Sequence, residues 1–399
     1  MDNELRVVVE DLEEYLSTAA LKSAPLDELV GGFGARARDR GISLARLMVG
    51  YRLLNPMFKS QTVTWEPDTG CTMDMHRHGD AETSPDFIAS PVYTLVHSDL
   101  FEIRRRIEGA NAPFEYPILA DLGTRGLTDY LAVKIPFTTE NLAHVPGGGL
   151  VISFASERQG GFADAEIEAL NRLKRIFALA VRTDLEVNMR RTLATTYLGR
   201  TAGRRVLGGE IGRGEGRSLD AVIWYCDLRG STALCEKMGV PSYLPLLDDY
   251  FSASAGVVDR HGGDILDFIG DAVLAIFPQD EAGLNRAIAA TTEARAELEA
   301  FAGRHSVFDE RSGVAEIAGI AIDVGTVAYG NIGIPERLTF SVIGQSVNKV
   351  ARIERLTKTL REPVLVTSAV AQAAPDTFGS RGMFALDGVA GPQELYGLA

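Results

Sequence analysis

Leu5, Val8, Leu12 and Leu16 recur at helical spacing and predict a helix over residues 3–21. A second helix is predicted from about residue 26 to 39. The pattern then turns strand-like. SLARLMVGYRLL (43–54) and QTVTWEP (61–67) flank an Asn-Pro turn. Residues 68–92 are polar and rich in breakers, which predicts a loop. DLFEIRRRIE (99–108) predicts a helix, and DYLAVKIPFT (129–138) and GGLVISFAS (148–156) predict two more strands. A long helical pattern follows over about 164–198, with Asp164 as its N-cap. Leu170, Leu173, Phe177, Ala180, Val187 and Ala194 form its apolar stripe, with Asp184 and Arg191 in the seam. Such a stripe packs either on its own domain or, as a short coiled coil, on a second copy. Residues 199–217 are rich in Gly and Arg and predict a flexible joint. Beyond it the order is strand, helix, two strands, helix, then strands and helices again.

This divides the chain into a regulatory or sensor domain (1–160), a connecting helix (161–200), a linker (201–217) and a second domain (218–399). The length of 399 residues suits two domains at roughly 150 residues each. A net charge of −14 argues against generic binding to nucleic acid or anionic membrane. No apolar run approaches the ~20 residues that span a bilayer. The acidic, amphipathic start is unlike a signal peptide. Cys71, Cys226 and Cys235 give no disulfide framework, so a cytoplasmic location is expected.

Asp227 and Asp271 carry the clearest chemistry. Each sits at the edge of a strand-like apolar run, VIWYCDLRGST (222–232) and LDFIGDAVLAIF (266–277). Two carboxylates so presented suit Mg²⁺-type ions, which prefer hard oxygen ligands. Arg229, Gly230, Ser231 and Thr232 follow the first, and a Gly turn opening a helix offers N–H groups to phosphate. In SVIGQSVNKVARIE (341–354), Asn348 and Arg352 are four apart and share a helix face.

These three blocks, with HGGDIL before Asp271 and a terminal GVAGPQELYGL, resemble the class III nucleotidyl cyclases over about residues 218–399. The resemblance implies an α+β catalytic domain with a ferredoxin-like βαββαβ core. It implies attack of a ribose 3′-OH on the α-phosphate of a nucleoside triphosphate, with pyrophosphate leaving. Two Mg²⁺ or Mn²⁺ ions would be held by Asp227, Asp271 and the carbonyl of Leu228. Asn348 would orient the ribose, Arg352 would stabilise the pentavalent phosphate, and Arg337 would contact the triphosphate. In this family the two residue sets come from opposite subunits, so a homodimer with interfacial sites is implied. The first domain looks GAF-like by element order, with an effector of unknown kind; Cys71, His76 and His78 are candidate metal or haem ligands there, and Trp65 and Tyr93 candidate pocket residues.

Three positions depart from the family pattern. Adenylate cyclases of the class usually hold Lys where this chain has Asp267, and Asp or Thr where it has Ser341. Ionised Asp only accepts hydrogen bonds, which suits the two donors of guanine better than N1 of adenine. Asp387 stands where a triphosphate-binding Lys is usual, and a carboxylate repels phosphate. The expectation is cyclic AMP from ATP. The alternatives are cyclic GMP from GTP, or a silent nucleotide-binding module.

Overall fold

The computed structural model describes residues 3–79, 83–108, 115–137, 148–308 and 313–399. The chain divides into two compact units, Met1–Leu193 and Ala194–Ala399.

The first unit is built on an antiparallel sheet of β1 (Arg46–Arg52), β2 (Phe58–Glu66), β3 (Gly70–Arg77), β4 (Glu102–Arg106), β5 (Asp129–Pro136) and β6 (Gly149–Ser156). Their spatial order is β3-β2-β1-β6-β5-β4. Alternate side chains point to opposite faces. Leu47, Val49, Leu131, Val133, Ile152 and Phe154 meet the helices Asn3–Lys22, Leu26–Asp39 and Asp164–Leu198 in the larger core. Tyr130, Ala132, Val151 and Ala155 meet the helix Pro117–Thr124 on the other face. Two buried acids brace the unit. Asp129 accepts hydrogen bonds from Arg104 at 2.8 Å and from the Phe162 N–H at 3.1 Å. Glu166 accepts from the N–H groups of Ser43 and Ala163 and pairs with Arg158.

Four expectations change here. Residues 102–106 are a strand, not part of a helix. Ile103 and Ile107 are four apart and fit either period, and Arg104 reaching across to Asp129 on β5 goes with the strand. Residues 70–77 are also a strand, followed by short helices Pro85–Ile88 and Pro91–Val96. β3 is an edge strand with most of its side chains exposed, so its sequence reads as polar loop. Asp164 is the first helical residue rather than the cap; the Glu166 side chain instead takes the Ala163 N–H. The helix packs on its own domain through Val181, with Leu185 partly buried against the same core, while Val187 is exposed.

The second unit holds an eight-stranded sheet: β7 (Gly216–Leu228), β8 (Asp264–Ile269), β9 (Ala272–Pro278), β10 (Ala318–Ile334), β11 (Arg337–Ile343), β12 (Val364–Thr367), β13 (Phe378–Phe384) and β14 (Gln393–Leu398). The order is β13-β14-β12-β10-β7-β9-β8, with β11 paired to β10. Helices separate β7 from β8, and the helix Glu281–Arg304 separates β9 from β10. That βαββαβ run with spatial order β10-β7-β9-β8 is the ferredoxin-like core. On β7, Val222, Trp224, Cys226 and Leu228 face the core made with the helices Val240–Ala253 and Glu281–Arg304. Ala221 and Ile223 face the opposite core, which includes Val350 and Ile353 of the helix Gln345–Leu360. By the same alternation Asp227 faces that second helix.

The Gly/Arg-rich joint is not slack over its first half. Residues Arg200–Leu207 form a helix. A Cβ on Gly199 would lie 2.7 Å from the Ile265 carbonyl, and one on Gly203 would lie 2.6 Å from the Ala194 carbonyl. These glycines permit close approach rather than flexibility.

Candidate active site

Strand pairing places the two acids side by side. The β7–β9 register runs to Cys226 opposite Val273, one residue short of Asp227 and two past Asp271. Asp271 occupies a two-residue turn with Gly270, which closes the β8–β9 hairpin. Gly270 has φ +68°, the left-handed conformation that suits glycine at the first turn position. The two carboxyl groups hydrogen-bond each other. Burial, then the charge of Asp271, pushes the Asp227 carboxyl up to about 6; the Leu228 N–H and the Arg229 charge oppose this. Two carboxyls sharing a proton have an excess of negative charge that a divalent cation relieves. Their oxygen-only donor set fits Mg²⁺ or Mn²⁺, which complete their shell with water and phosphate.

A cavity of about 200 Å³ opens beside this pair, lined by Asp227, Leu228, Arg229, Gly230, Glu354, Arg355 and Lys358. Gly230 is left-handed (φ +67°) and caps the helix Ser231–Met238. Ser231 hydrogen-bonds Tyr243, and Thr232 lies in the first turn of that helix. Arg229, expected as a phosphate contact, lines the cavity with its donors engaged inside the unit. Its N–H donates to the Ile317 carbonyl, its Nε to the Ala315 carbonyl and a terminal nitrogen to Thr357 Oγ1. These commitments turn the side chain into the protein.

Glu354 was not among the residues singled out from sequence. Burial, then the charge of Asp227, pushes its carboxyl up to about 7. The signal was present: Val350, Ile353, Glu354 and Thr357 form the buried stripe of the helix, and one member of an apolar stripe is an acid. Arg355 and Lys358 were missed as well. Each looks like an ordinary exposed helix cation until the helix is laid against β7.

The remaining candidates lie elsewhere in the unit. Asn348 is exposed, and the Arg352 guanidinium lies against Gly388, where a Cβ would be 3.3 Å away. Neither lines the cavity beside Asp227. Asp387 and Gly388 are the central residues of a turn closed by Val389 N–H to Leu386 O. Asp267 is on the edge strand β8, opposite Leu274, next to a register shift. Ser341 is on β11 opposite Gly330, and Arg337 is exposed at the start of that strand. In the first unit, no group of three His, Cys, Asp or Glu poised for a metal occurs among the described residues. His76 meets Thr62, His78 meets the Asn55 carbonyl and Cys71 meets the Asp27 carbonyl. Trp65 is buried against Gly34, and Tyr93 stacks on His97.

Among curated proteins, the chain is 33% identical over 175 residues to an adenylate cyclase of Anabaena cylindrica, covering 43% of this chain and 34% of that protein. It is 28% identical over 284 residues to adenylate cyclase 2 of Rhizobium meliloti (strain 1021), covering 71% of each. The chain is related by sequence to the class III nucleotide cyclases. No protein-family model matches it. It spans about a third of the length of the first curated relatives that it matches. Among solved structures, the guanylyl cyclase Cya2 aligns at 28% identity over 46% of this chain and 93% of that one, with a TM-score of 0.40. A bacterial light-regulated adenylyl cyclase aligns at 19% identity over 63% and 82%, with a TM-score of 0.47. No helix of the described residues is long and apolar enough to cross a membrane.

Proposed function

We propose that the chain is a nucleotide cyclase that converts ATP to 3′,5′-cyclic AMP and pyrophosphate. The observation that carries this is the pair Asp227 and Asp271, brought abreast by strand pairing so that the charge of one raises the carboxyl of the other. Asp227, Asp271 and the Leu228 carbonyl would hold two Mg²⁺ or Mn²⁺ ions. When bound, such ions neutralise polyphosphate charge and polarise the reacting phosphorus centre. Gly230 and the first turn after it, with Arg355 and Lys358, form a wall suited to phosphate oxygens. Arg352 suits the charge that develops at the α-phosphate, and Asn348 one helical turn away suits the ribose hydroxyls.

Asn348 and Arg352 are absent from the lining of the cavity that Asp227 shares. That separation supports a homodimer in which each chain supplies the acids to one site and the Asn/Arg pair to the other. The first unit would be a GAF-like regulatory domain for an effector; its element order is the support for that reading. Asp267 favours a second reading, cyclic GMP from GTP, because a carboxylate accepts from both N1–H and N2 of guanine.

The test is incubation of the full chain with Mn²⁺ and ATP, GTP, CTP or UTP, with products identified by mass spectrometry. Cyclic AMP is expected. Cyclic GMP alone would assign Asp267 the reading of guanine. No cyclic product, with or without effectors, would make this a silent module.

A further inference from the structure

Glu354 is a buried acid without a task in the scheme above. It is 4% exposed and lines the same cavity as Asp227. A charge so placed is costly unless the surroundings are arranged for it. The arrangement is visible in β10. Gly319 stands directly opposite Asp227, and a Cβ there would lie 2.2 Å from Thr357 Oγ1, 2.3 Å from Glu354 Oε1 and 3.1 Å from the Arg229 guanidinium. Gly319 is outside the left-handed region, so its missing side chain provides space and not a special conformation. Into that space converge three groups. Arg229 donates to Thr357 Oγ1 at 2.7 Å, and that hydroxyl donates to the Glu354 backbone carbonyl and lies 3.3 Å from Glu354 Oε1. The chain of contacts therefore runs from β7, two residues past Asp227, to the helix that bears Asn348 and Arg352.

We propose that Glu354 is a positioning residue: through Thr357 it holds the Arg229 guanidinium away from Asp227, and it fastens the helix Gln345–Leu360 to the end of β7. This rests on the cyclase reading of the Asp227–Asp271 pair. Arginine and a divalent cation compete for the same carboxylate oxygens. With the Glu354 charge gone, Arg229 turns toward Asp227 and occupies the oxygens that the metal needs. In the two-fold dimer proposed above, the same helix offers Arg352 to one site and Glu354 to the other, so one helix ties both sites together.

The test is a Mn²⁺ titration of the full chain without nucleotide, read by the electron paramagnetic resonance signal of the free ion, followed by turnover kinetics and thermal melting. Glu354→Gln keeps the shape and removes the charge. Its Mn²⁺ affinity is expected to fall by about tenfold, as when a group that orients a metal ligand is lost. Its kcat should fall in step, while KM for the nucleotide moves by less than about threefold. Glu354→Asp keeps the charge and should recover most of the affinity. Gly319→Ala alters no charge, yet should reproduce the Mn²⁺ defect by displacing Glu354, Thr357 and Arg229. Wild-type Mn²⁺ affinity in Glu354→Gln or in Gly319→Ala would overturn the proposal. If Glu354→Gln does not fold, the Gly319→Ala and Glu354→Asp titrations decide. A wild-type chain that binds Mn²⁺ but yields no cyclic nucleotide would overturn the proposed function instead, and the Mn²⁺ titrations would still judge Glu354.

Discussion

In the first unit Asp129 is fully buried, and its partners are two arginines and a backbone N–H. In the second unit Asp227 is half-buried, and burial and a second acid, Asp271, outweigh the Leu228 N–H and the Arg229 charge that favour its ionised form. Both lie on strands that pair antiparallel with their neighbours. The difference lies in what the neighbouring elements bring. β4 carries Arg104 and Arg106 alongside β5, so the charge of Asp129 is answered within the fold. The β8–β9 hairpin carries Asp271 to the end of β7, so the charge of Asp227 is doubled. Acids whose charge is answered hold a structure together. Acids whose charge is doubled cost stability and mark a candidate ligand site.

The sharpest way to break this comparison is to remove each acid in turn. Asp227→Ala should lower turnover by at least about a hundredfold, the scale of losing one electrostatic contact to a transition state. Its melting temperature should hold or rise, because repulsion with Asp271 is gone. A fall in melting temperature with turnover intact would make Asp227 structural. Asp129→Ala should do the reverse: about 3 kcal/mol of stability lost in urea unfolding of the first unit, the lower end for breaking a buried ion pair. The lower end applies because the Arg104 left behind is partly exposed and can reach water.

Mixing tests the separation of Asn348 and Arg352 from the acids. Asp227→Ala and Arg352→Ala chains, each nearly inactive, should regain about a quarter of wild-type turnover when refolded together, since half the dimers are mixed and each has one intact site. Recovery near zero would place both sets in one chain's site.

The smallest effect is on pH. Folding raises the carboxyl of Asp227 from 3.8 to about 6 and that of Glu354 from 4.5 to about 7. The folded chain therefore holds protons that the unfolded chain has released, and stability of the metal-free protein falls as pH rises through that window. Asp227→Asn should show a smaller loss of melting temperature between about pH 4 and pH 6 than wild type does. Mn²⁺ should abolish the difference in wild type, because it replaces the shared proton.

Alternation along β7 and the Gly-Asp turn were readable from residues alone, because period-two patterns and tight turns are local. The long helix was readable for the same reason. β4 was not, because Ile103 and Ile107 satisfy both periods and the deciding partner, Asp129, is 25 residues from Arg104. The inward turn of Arg229 depends on Ala315, Ile317 and Thr357, which tertiary packing alone brings near. Glu354 was half legible, as an acid in an apolar stripe, while the space that Gly319 leaves for it was not.

The glycines at 199 and 203 also bear on where the second unit can be cut free. From composition, a fragment beginning near Ser218 looks natural, since the Arg-rich stretch before it resembles a spacer that a protease would clear. Yet Ala202 is part of the buried core with Tyr329 and Phe340, and the Arg205 guanidinium lies over both rings, 5.5 and 5.3 Å from their centres. Trimming at 218 would strip that cover and leave an oily scar on the sheet. A fragment meant to stay soluble should begin at the last turn of the long helix, near Ala194. Trypsin is expected to nick the exposed stretch at Arg213 more readily than the helix at Arg204 or Arg205, as it should if that helix packs on the second unit.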